Sequence, residues 1–189
     1  MKSFKPTKIG DTGYTRFGGD RISKTSPEII LVGALDEFQA ELGELWTKLN
    51  NERSLFGNYI WPDYYKKVNT IKSLIEYLIK EIYIISSHVH AGETYDYNDR
   101  KETILLESMK FEHYSNFILP YFNNDISCTI NKLRAKSRTL EITFLAHHFY
   151  ETKSDGGAGL KIFMNRMSTL LYAALCHFNN NIRLTTISL

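Results

Sequence analysis

The chain has 189 residues, 43% of them hydrophobic and 13% aromatic, which is typical of one globular domain with a sizeable core. A formal net charge of +2 without any block of basic residues argues against a nucleic-acid-binding protein. No apolar run approaches the ~20 residues of a membrane span, and the start MKSFKPTK lacks the apolar core of a signal peptide. The composition therefore predicts a single cytoplasmic domain, residues 1–189, that binds neither nucleic acid nor membrane.

Residues 7–19, TKIGDTGYTRFGG, form a very polar and glycine-rich segment. They do not match the Walker phosphate-binding loop, which requires GxxxxGK[ST] between a strand and a helix. Glycines nevertheless allow backbone N–H groups to converge on an anion, and Lys8 and Lys24 add positive charge. On these residues alone two hypotheses stay open for residues 1–25, a phosphate-binding segment and a mobile tail.

The rest of the chain shows apolar residues at helical spacing, without an alternating strand pattern of useful length. The first predicted helix follows the cap Ser26 and begins with Pro27 and Glu28, and the second covers roughly 63–87 with Asp63 as its cap. A weaker third helix covers about 101–114, a fourth starts near Asp125, and a fifth follows the break SDGGAG at 154–159. Residues 179–189 are predicted to be a frayed tail. Amphipathic helices with short links predict an all-α fold, a five-helix up-down bundle.

Cys128 and Cys176 both fall in helical patterns and have no metal-binding spacing. Each is interpreted as a buried thiol in a reducing compartment. No protein ligand for a metal ion is assigned from the sequence.

Several polar residues lie beside the apolar stripes, where they do not suit a plain bundle. Asp36 has mostly small neighbours, so it is expected at a packing contact, with a solvated surface aspartate as the alternative. Arg134, Arg138 and Glu141 fall at i, i+4 and i+7 on one helix face. The two arginines repel each other unless an anion faces them, so an anion site and ordinary salt-bridge decoration both stay open. Asn165, which interrupts an apolar stretch, is a weak signal by itself.

Five motifs together resemble those of a known family. TKIGDTGYTRFGGDRISK resembles Thr-Lys-x-Gly-Asp-x-Gly-x-Thr followed by Phe-Gly-Gly-x-Arg and a Lys, and GALDEFQAELG resembles Gly-x-x-Asp-Glu-Leu. FILP at 117–120, RAKSRTLE at 134–141 and NRMS at 165–168 resemble Phe-x-Leu-Pro, Arg-x-x-x-Arg-x-x-Glu and Asn-Arg-Leu-Ser. On these motifs, which follow in order over about residues 6–178, the chain resembles the ATP:cob(I)alamin adenosyltransferases of the propanediol-utilisation (PduO) type.

This resemblance implies a homotrimer of five-helix bundles with active sites between subunits. It implies transfer of the 5′-deoxyadenosyl group of Mg-ATP to the cobalt of reduced cobalamin, with release of triphosphate and with magnesium carried by the nucleotide. Because Co(I) is a very strong nucleophile, the protein needs only to align the reactants and stabilise the leaving group. A flavin-dependent reductase that supplies Co(I) and an adenosylcobalamin-dependent acceptor enzyme are the implied partners.

The resemblance also implies site residues. The segment over residues 1–25 would be an ATP lid, and Lys8, Arg138 and Phe117 would be catalytic. Phe117 would lie under the corrin ring and exclude the lower axial ligand, while Asp36 and Arg134 would pair across the subunit boundary beside the corrinoid. The implied ATP-binding residues are Thr7, Lys8, Ile9, Gly10, Asp11, Thr15, Arg16, Lys24, Arg138, Glu141, Ile142 and Asn165.

The chain departs from the family pattern at several places. Thr139 and Ile142 stand where cations are common, Tyr121 and Phe122 stand where two glycines are common, and Thr169 stands where an aspartate is frequent. One residue fewer lies between Gly13 and the Phe-Gly-Gly element. A second hypothesis therefore stays open, a non-catalytic ATP- or corrinoid-binding relative that acts as a carrier or regulator. A third is an unrelated helical interaction protein.

Overall fold

The structure is a computed structural model that describes residues 8, 10–56, 62–91, 95, 97–109, 117–118, 122, 124–146, 156–179 and 186–187. Within these ranges the chain forms five helices and two short two-stranded sheets. The helices are α1 (Pro27–Phe56), α2 (Pro62–Ala91), α3 (Arg100–Ser108), α4 (Asp125–Ala146) and α5 (Gly156–Asn179). The strands are β1 (Tyr14–Phe17), β2 (Asp20–Ser23), β3 (Phe117–Ile118) and β4 (Thr186–Ile187).

Side-chain contacts show that α1 runs antiparallel to both α2 and α4. Glu52, near the end of α1, accepts a hydrogen bond from the Tyr64 hydroxyl near the start of α2, at 3.1 Å. Lys48, in the second half of α1, forms an ion pair of 2.8 Å with Asp125, the first residue of α4. The beginning of α1 therefore lies at the same end of the bundle as the ends of α2 and α4.

The last helix, α5, runs antiparallel to α4 and α2. The Ser127 hydroxyl near the start of α4 donates to Asn179 Oδ1 at the end of α5, at 3.0 Å. The Phe178 ring, also at the end of α5, lies 5.7 Å from the Tyr64 ring. The short α3 lies against α2 and α5, with Lys101 beside Tyr77. These directions confirm the predicted up-down bundle.

The predicted apolar stripes form the core. All six stripe residues of α1 are buried, and the stripes of α2, α4 and α5 meet them in one cluster. Burial of this cluster is the main stabilising contribution to the fold, at about 25 cal/mol per Å² of apolar surface removed from water. The α1 residues are Leu31, Leu35, Phe38, Leu42, Leu45 and Leu49.

The predicted limits of three helices need correction. The second helix extends to Ala91 rather than 87, and Asp63 lies in its first turn instead of capping it. The third helix ends at Ser108 rather than near 114, because the Met109 N–H closes the last turn on carbonyl oxygens of α3 and the chain then leaves helical geometry. The fifth helix begins at Gly156, inside the predicted break.

The strands were not predicted from the sequence. β1 and β2 are too short for an alternating pattern to show, and they are joined by Gly18 and Gly19, whose φ values of 56° and 94° suit a two-residue hairpin turn. β3 pairs with β4, which lies in the segment predicted to be a frayed tail. The prediction for residues 179–189 was therefore wrong at 186–187, because a strand pairing across the sequence leaves no local signal.

The two cysteines differ in exposure. Cys176 is buried as predicted, and its burial raises the pKa of the thiol. Cys128 is exposed, which corrects the prediction, because the core-facing positions of α4 are the residues on either side of it, Ser127 and Thr129. None of the helices in the described ranges combines the length and hydropathy that a membrane span requires.

Candidate active site

The hairpin of β1 and β2, which we call the N-terminal ribbon (residues 14–23), contacts the end of α2. The Phe17 ring meets the His90 ring edge-on, with 4.8 Å between ring centroids. A Cβ added to Gly18 would lie 3.7 Å from the His90 carbonyl oxygen, so the ribbon turn runs close to the last residues of α2. We call this end of the bundle, where α1 and α5 begin, the ribbon end, and the opposite end the far end.

Backbone hydrogen bonds fold the glycine-rich residues into successive turns beside the ribbon. The Asp11 N–H donates to the Lys8 carbonyl oxygen at 3.1 Å, and the Gly13 N–H donates to that of Gly10 at 3.3 Å. The Lys24 N–H donates to the Gly13 carbonyl oxygen at 2.8 Å. Lys8 has a φ of 54°, a conformation that residues with side chains rarely adopt and that clusters at binding sites.

The Lys24 side chain lies across Gly10. A Cβ at Gly10 would be 2.7 Å from Lys24 Nζ and 3.2 Å from its Cε, so the end of the lysine side chain lies directly against the glycine. The structure thus brings a glycine backbone and an ammonium group to one place, although they are 14 positions apart in the sequence.

The remaining predicted residues of this segment lie at its surface. Lys8, Asp11, Arg16 and Lys24 are exposed, and Gly10 and Thr15 are half-buried. Thr7 and Ile9 lie outside the described residues. Arg21 adds a contact that the sequence did not indicate, because its guanidinium donates to Thr12 Oγ1 at 3.3 Å and lies 4.6 Å from the centre of the Tyr14 ring. These contacts hold the turns against the ribbon.

The predicted residues of α4 and α5 lie at the same height along the bundle. The Ser127 hydroxyl of α4 is hydrogen-bonded to Asn179 of α5; Glu141 lies fourteen residues after Ser127, and Asn165 lies fourteen residues before Asn179. Because the rise per residue is the same in both antiparallel helices, Glu141 and Asn165 are at the same height. Arg138, one turn before Glu141, is exposed, and within the described ranges its side chain forms no ion pair. The position of the predicted ATP contacts is therefore consistent with one shared surface.

Ile142 is next to this surface and is 67% exposed. An isoleucine with that exposure adds nothing to the core of a single chain. The motif resemblance implies a cation at this position, whereas this chain presents an apolar group next to Glu141.

Arg134 and Asp36 do not meet within one chain. α4 contacts α1 through Lys132 and Lys136, which pair with Glu41 at 3.1 and 2.6 Å. Arg134 is two residues from each lysine, roughly 200° around the helix, so it lies on the flank away from α1. There it is half-buried, and its Nε donates to Asn131 Oδ1 at 3.1 Å.

Asp36 lies on an open face of α1. It is exposed, as are its neighbours Gly33 and Ala40, and a Cβ added to Gly33 or Gly43 would find no atom within 4 Å. The prediction of a close packing contact is thus not met inside one chain. The face that we call the outer face of α1 (residues 33, 36, 40 and 43) has small side chains apart from Asp36, and none of the described residues packs over its glycines.

Phe117 is in β3, where its Cα partner is Ile187 of β4. Its side chain lies outside the described residues, so its predicted role under the corrin ring stays a prediction. Tyr121 also lies outside them.

A buried cluster at the start of α3 was missed by the sequence analysis. The Tyr97 hydroxyl donates to Glu102 Oε2 at 2.7 Å, and the Tyr95 hydroxyl donates to Glu81 Oε2 at 2.6 Å. Burial raises the pKa of Glu102, although hydrogen bonding to Tyr97 and the charge of Arg166 oppose this. The sequence offers only a weak signal for this cluster, namely Glu102 in the polar first turn of α3 and the two tyrosines that precede it.

No group of three or more histidine, cysteine, aspartate or glutamate side chains in the described part of the chain is arranged to hold a metal ion. The model of the cobalamin adenosyltransferase family matches residues 6–178. The chain belongs to the cobalamin adenosyltransferase family. This membership confirms the resemblance drawn from the five motifs. It makes the chain an enzyme that transfers the adenosyl group, with ATP and cobalamin as its substrates.

Three solved structures with the same fold are variants of the PduO-type ATP:corrinoid adenosyltransferase from Lactobacillus reuteri. A phenylalanine-to-alanine variant complexed with cobalamin and ATP has a TM-score of 0.71 at 17% identity, over 97% of this chain and 98% of that chain. An arginine-to-lysine variant complexed with ATP has a TM-score of 0.70 at 18% identity, over 98% and 99%. A phenylalanine-to-histidine variant complexed with cobalamin and ATP has a TM-score of 0.71 at 17% identity, over 97% and 95%. Comparison with the curated proteins gave no match.

Proposed function

We propose that the ribbon end of this adenosyltransferase binds ATP, and that a neighbouring subunit of a homotrimer completes the active site. The observation that carries the proposal is that Glu141 and Asn165 lie at the same height along the bundle, within about one helical turn of the exposed Arg138. The glycine-rich turns with Lys24 folded over Gly10 lie at the same end. Backbone amides and cations at one end of a bundle suit a polyphosphate.

The reaction needs charge stabilisation more than a protein base or nucleophile. The electron pair of Co(I) forms the cobalt–carbon bond at C5′ of ATP, and the carbon–oxygen bond breaks with its electron pair leaving on triphosphate. Arg138, Lys8 and Lys24 supply positive charge toward that leaving group, and magnesium arrives with the nucleotide. Glu141 and Asn165 orient the nucleoside, together with the remaining ribbon residues and Ile142.

The two arginines of α4 have different tasks in this proposal. Arg134 is held by Asn131 and is half-buried, whereas Arg138 is exposed and forms no ion pair within the described ranges. Two like charges one turn apart are unfavourable unless an anion lies beside them. Triphosphate beside Arg138, and a carboxylate from another subunit beside Arg134, would offset that repulsion.

The outer face of α1 is the part of the molecule that we assign to the subunit contact. Its small residues permit close approach of another backbone, and Asp36 in their midst supplies the carboxylate that Arg134 lacks. Because the two side chains lie on separate flanks of one chain, they can pair only between chains. The pair then lies beside the corrinoid, with Phe117 beneath the ring.

An anaerobic assay with ATP, Mg²⁺ and chemically reduced cobalamin tests the proposal. We expect the visible spectrum to change from that of cob(I)alamin to that of adenosylcobalamin, with one triphosphate released per product. The alternative is a carrier or regulator, which Ile142 favours because an exposed apolar group replaces a cation there. Tight ATP binding without any change in the cobalt spectrum would decide for that alternative.

Three further assignments belong to the same proposal. A flavin-dependent reductase supplies Co(I), and an adenosylcobalamin-dependent enzyme accepts the product. A cytoplasmic location is supported by the use of ATP as a substrate.

A further inference from the structure

We propose that a group of buried and half-buried side chains, which we call the tyrosine latch (Tyr77, Tyr95, Tyr97, Glu81 and Glu102), positions the first half of α5 so that Asn165 can contact ATP. Glu102 is its central positioning residue. The inference rests on the proposed ATP site, because it explains how one member of that site is held in place.

The first half of α5 is a weak helix by its sequence. It begins GGAG, with glycines at positions 156, 157 and 159. A glycine inside a helix, as at position 159, costs about 0.5–1 kcal/mol relative to alanine. The segment that leads to Asn165 therefore depends on packing from outside for a fixed position.

The latch supplies that packing from two directions. A Cβ added to Gly159 would lie 2.8 Å from the Tyr97 Cβ and 3.3 Å from the Tyr95 carbonyl oxygen, so the chain before α3 is pressed against the first turn of α5. The Phe163 ring, two residues before Asn165, lies 6.1 Å from the Tyr95 ring and 6.3 Å from the Tyr77 ring. The tyrosines thus contact α5 one turn apart, just before the predicted ATP residue.

Hydrogen bonds to carboxylates fix the tyrosines themselves. The Tyr95 hydroxyl is bonded to Glu81 of α2 at 2.6 Å, and the Tyr97 hydroxyl to Glu102 of α3 at 2.7 Å. Burial raises the pKa of Tyr95 and that of Tyr97, and the hydrogen bonds to the glutamates add to this, so both hydroxyls keep their protons. Short bonds of this kind in a buried place are directional, and they tie the two tyrosines to two different helices.

Glu102 connects the latch to the site. It is 3% exposed, and its Oε1 is buried without a hydrogen-bond partner among the described residues. The groups that act on its charge are Tyr77 of α2, Tyr97 before α3, Asp99 at the start of α3 and Arg166 of α5. Arg166 is the residue after Asn165, so the charge of α5 nearest to Glu102 is next to the predicted ATP contact.

The experiment compares two tyrosines that make the same kind of bond at opposite ends of the bundle. Tyr97→Phe removes the hydroxyl bonded to Glu102, and Tyr64→Phe removes the hydroxyl bonded to Glu52 at 3.1 Å. We expect Tyr97→Phe to raise the KM for ATP about fivefold, the scale of one lost hydrogen bond, with kcat and the KM for cobalamin within about twofold. Tyr64→Phe should leave all three constants within about twofold.

Two further variants complete the test. Glu102→Gln keeps the shape and an acceptor for Tyr97, so it should be milder than Tyr97→Phe. Asn165→Ala should raise the KM for ATP by itself. Hydrogen exchange, which needs no activity, should be faster over residues 160–166 in Tyr97→Phe than in the parent chain.

Each failure has its own signature. If Asn165→Ala raises the KM for ATP and Tyr97→Phe behaves like Tyr64→Phe, the latch is overturned and the ATP site stands. If Asn165→Ala has no effect, Asn165 is not part of the proposed ATP site and the latch falls with it. If Tyr97→Phe lowers kcat and raises the KM for both substrates alike, its role is general stability rather than the positioning of Asn165.

Discussion

The two ends of the bundle are built from the same four long helices, yet they use polar side chains in different ways. At the far end the charged groups pair with one another. Lys48 forms ion pairs with Asp125 at 2.8 Å and Glu44 at 2.9 Å and donates to Thr129, and the hydrogen bond to Asp125 is the main cause of its raised pKa. Such groups stabilise the junction between α1 and α4.

At the ribbon end several exposed or half-buried polar side chains are left available. In the described parts of the chain the side chains of Lys8, Arg138, Glu141 and Asn165 have no hydrogen-bond or ion-pair partner, and Lys24 covers only a glycine backbone. Other groups at this end do pair, namely Lys136 with Glu37 at 2.7 Å, Arg21 with Thr12 at 3.3 Å, and the members of the tyrosine latch. The difference separates two tasks, because the far end holds the helices together and the ribbon end presents polar groups to ligands.

Arg138→Ala is expected to have the largest effect, and it tests most directly whether the ribbon end presents its charged groups to ligands. Turnover should fall roughly 10²-fold, the scale of ~3 kcal/mol of leaving-group stabilisation, while helical circular dichroism is unchanged because the side chain is exposed. Lys132→Ala is the matched control on the other flank of α4, because Lys132 is exposed and its partner Glu41 keeps an ion pair with Lys136 at 2.6 Å. A folded Arg138→Ala protein with near-normal turnover would remove this arginine from the site.

Gly159→Ala tests whether the ribbon end has a tightly packed interior below its open surface. The added methyl group would lie 2.8 Å from the Tyr97 Cβ, so the chain before α3 must move away from α5. Overpacking of this kind typically costs about 1–3 kcal/mol in the free energy of unfolding, which urea denaturation measures. Unchanged stability would mean that the contact between α5 and residues 95–97 is loose.

Gly43→Ala makes the same replacement where a single chain has open space. If the outer face of α1 is the subunit contact, the methyl group should lower the fraction of trimer in sedimentation velocity at a given concentration. If the face stays in solvent, assembly should be unaffected and the free energy of unfolding should rise by about 0.5–1 kcal/mol, because alanine is the better helix former. The second result would contradict the proposed subunit contact.

Glu102→Gln has the smallest expected effect, on the pH dependence of stability. Burial raises the pKa of Glu102 above 4.5, its value in an unfolded chain, so the folded protein binds this proton more tightly. Its contribution is fully present below pH 4.5 and is lost as the pH rises through the higher folded-state pKa. The glutamine variant cannot ionise, so the free energy of unfolding of the parent should decline more steeply with pH above 4.5 than that of the variant. Parallel pH curves would show that Glu102 has the same pKa in the folded and the unfolded chain.

The sequence by itself determined the local features of this protein. Helical periodicity placed the stripe from Leu31 to Leu49 in the core, because side chains three and four positions apart share one face of a helix. The spacing of Arg134, Arg138 and Glu141 likewise put them on one flank of α4. The five motifs were enough to indicate the family and its two substrates, since each motif is a short run of adjacent residues.

Only the tertiary structure decided what depends on residues distant in the chain. The equal height of Glu141 and Asn165 along the bundle follows from the packing of α4 against α5, and the position of Lys24 over Gly10 follows from the fold of the ribbon. The burial of Glu102 was invisible in the sequence, because a glutamate near a helix start is ordinarily solvated. Packing across the bundle removes such groups from water and brings distant ones together, and no local pattern records either event.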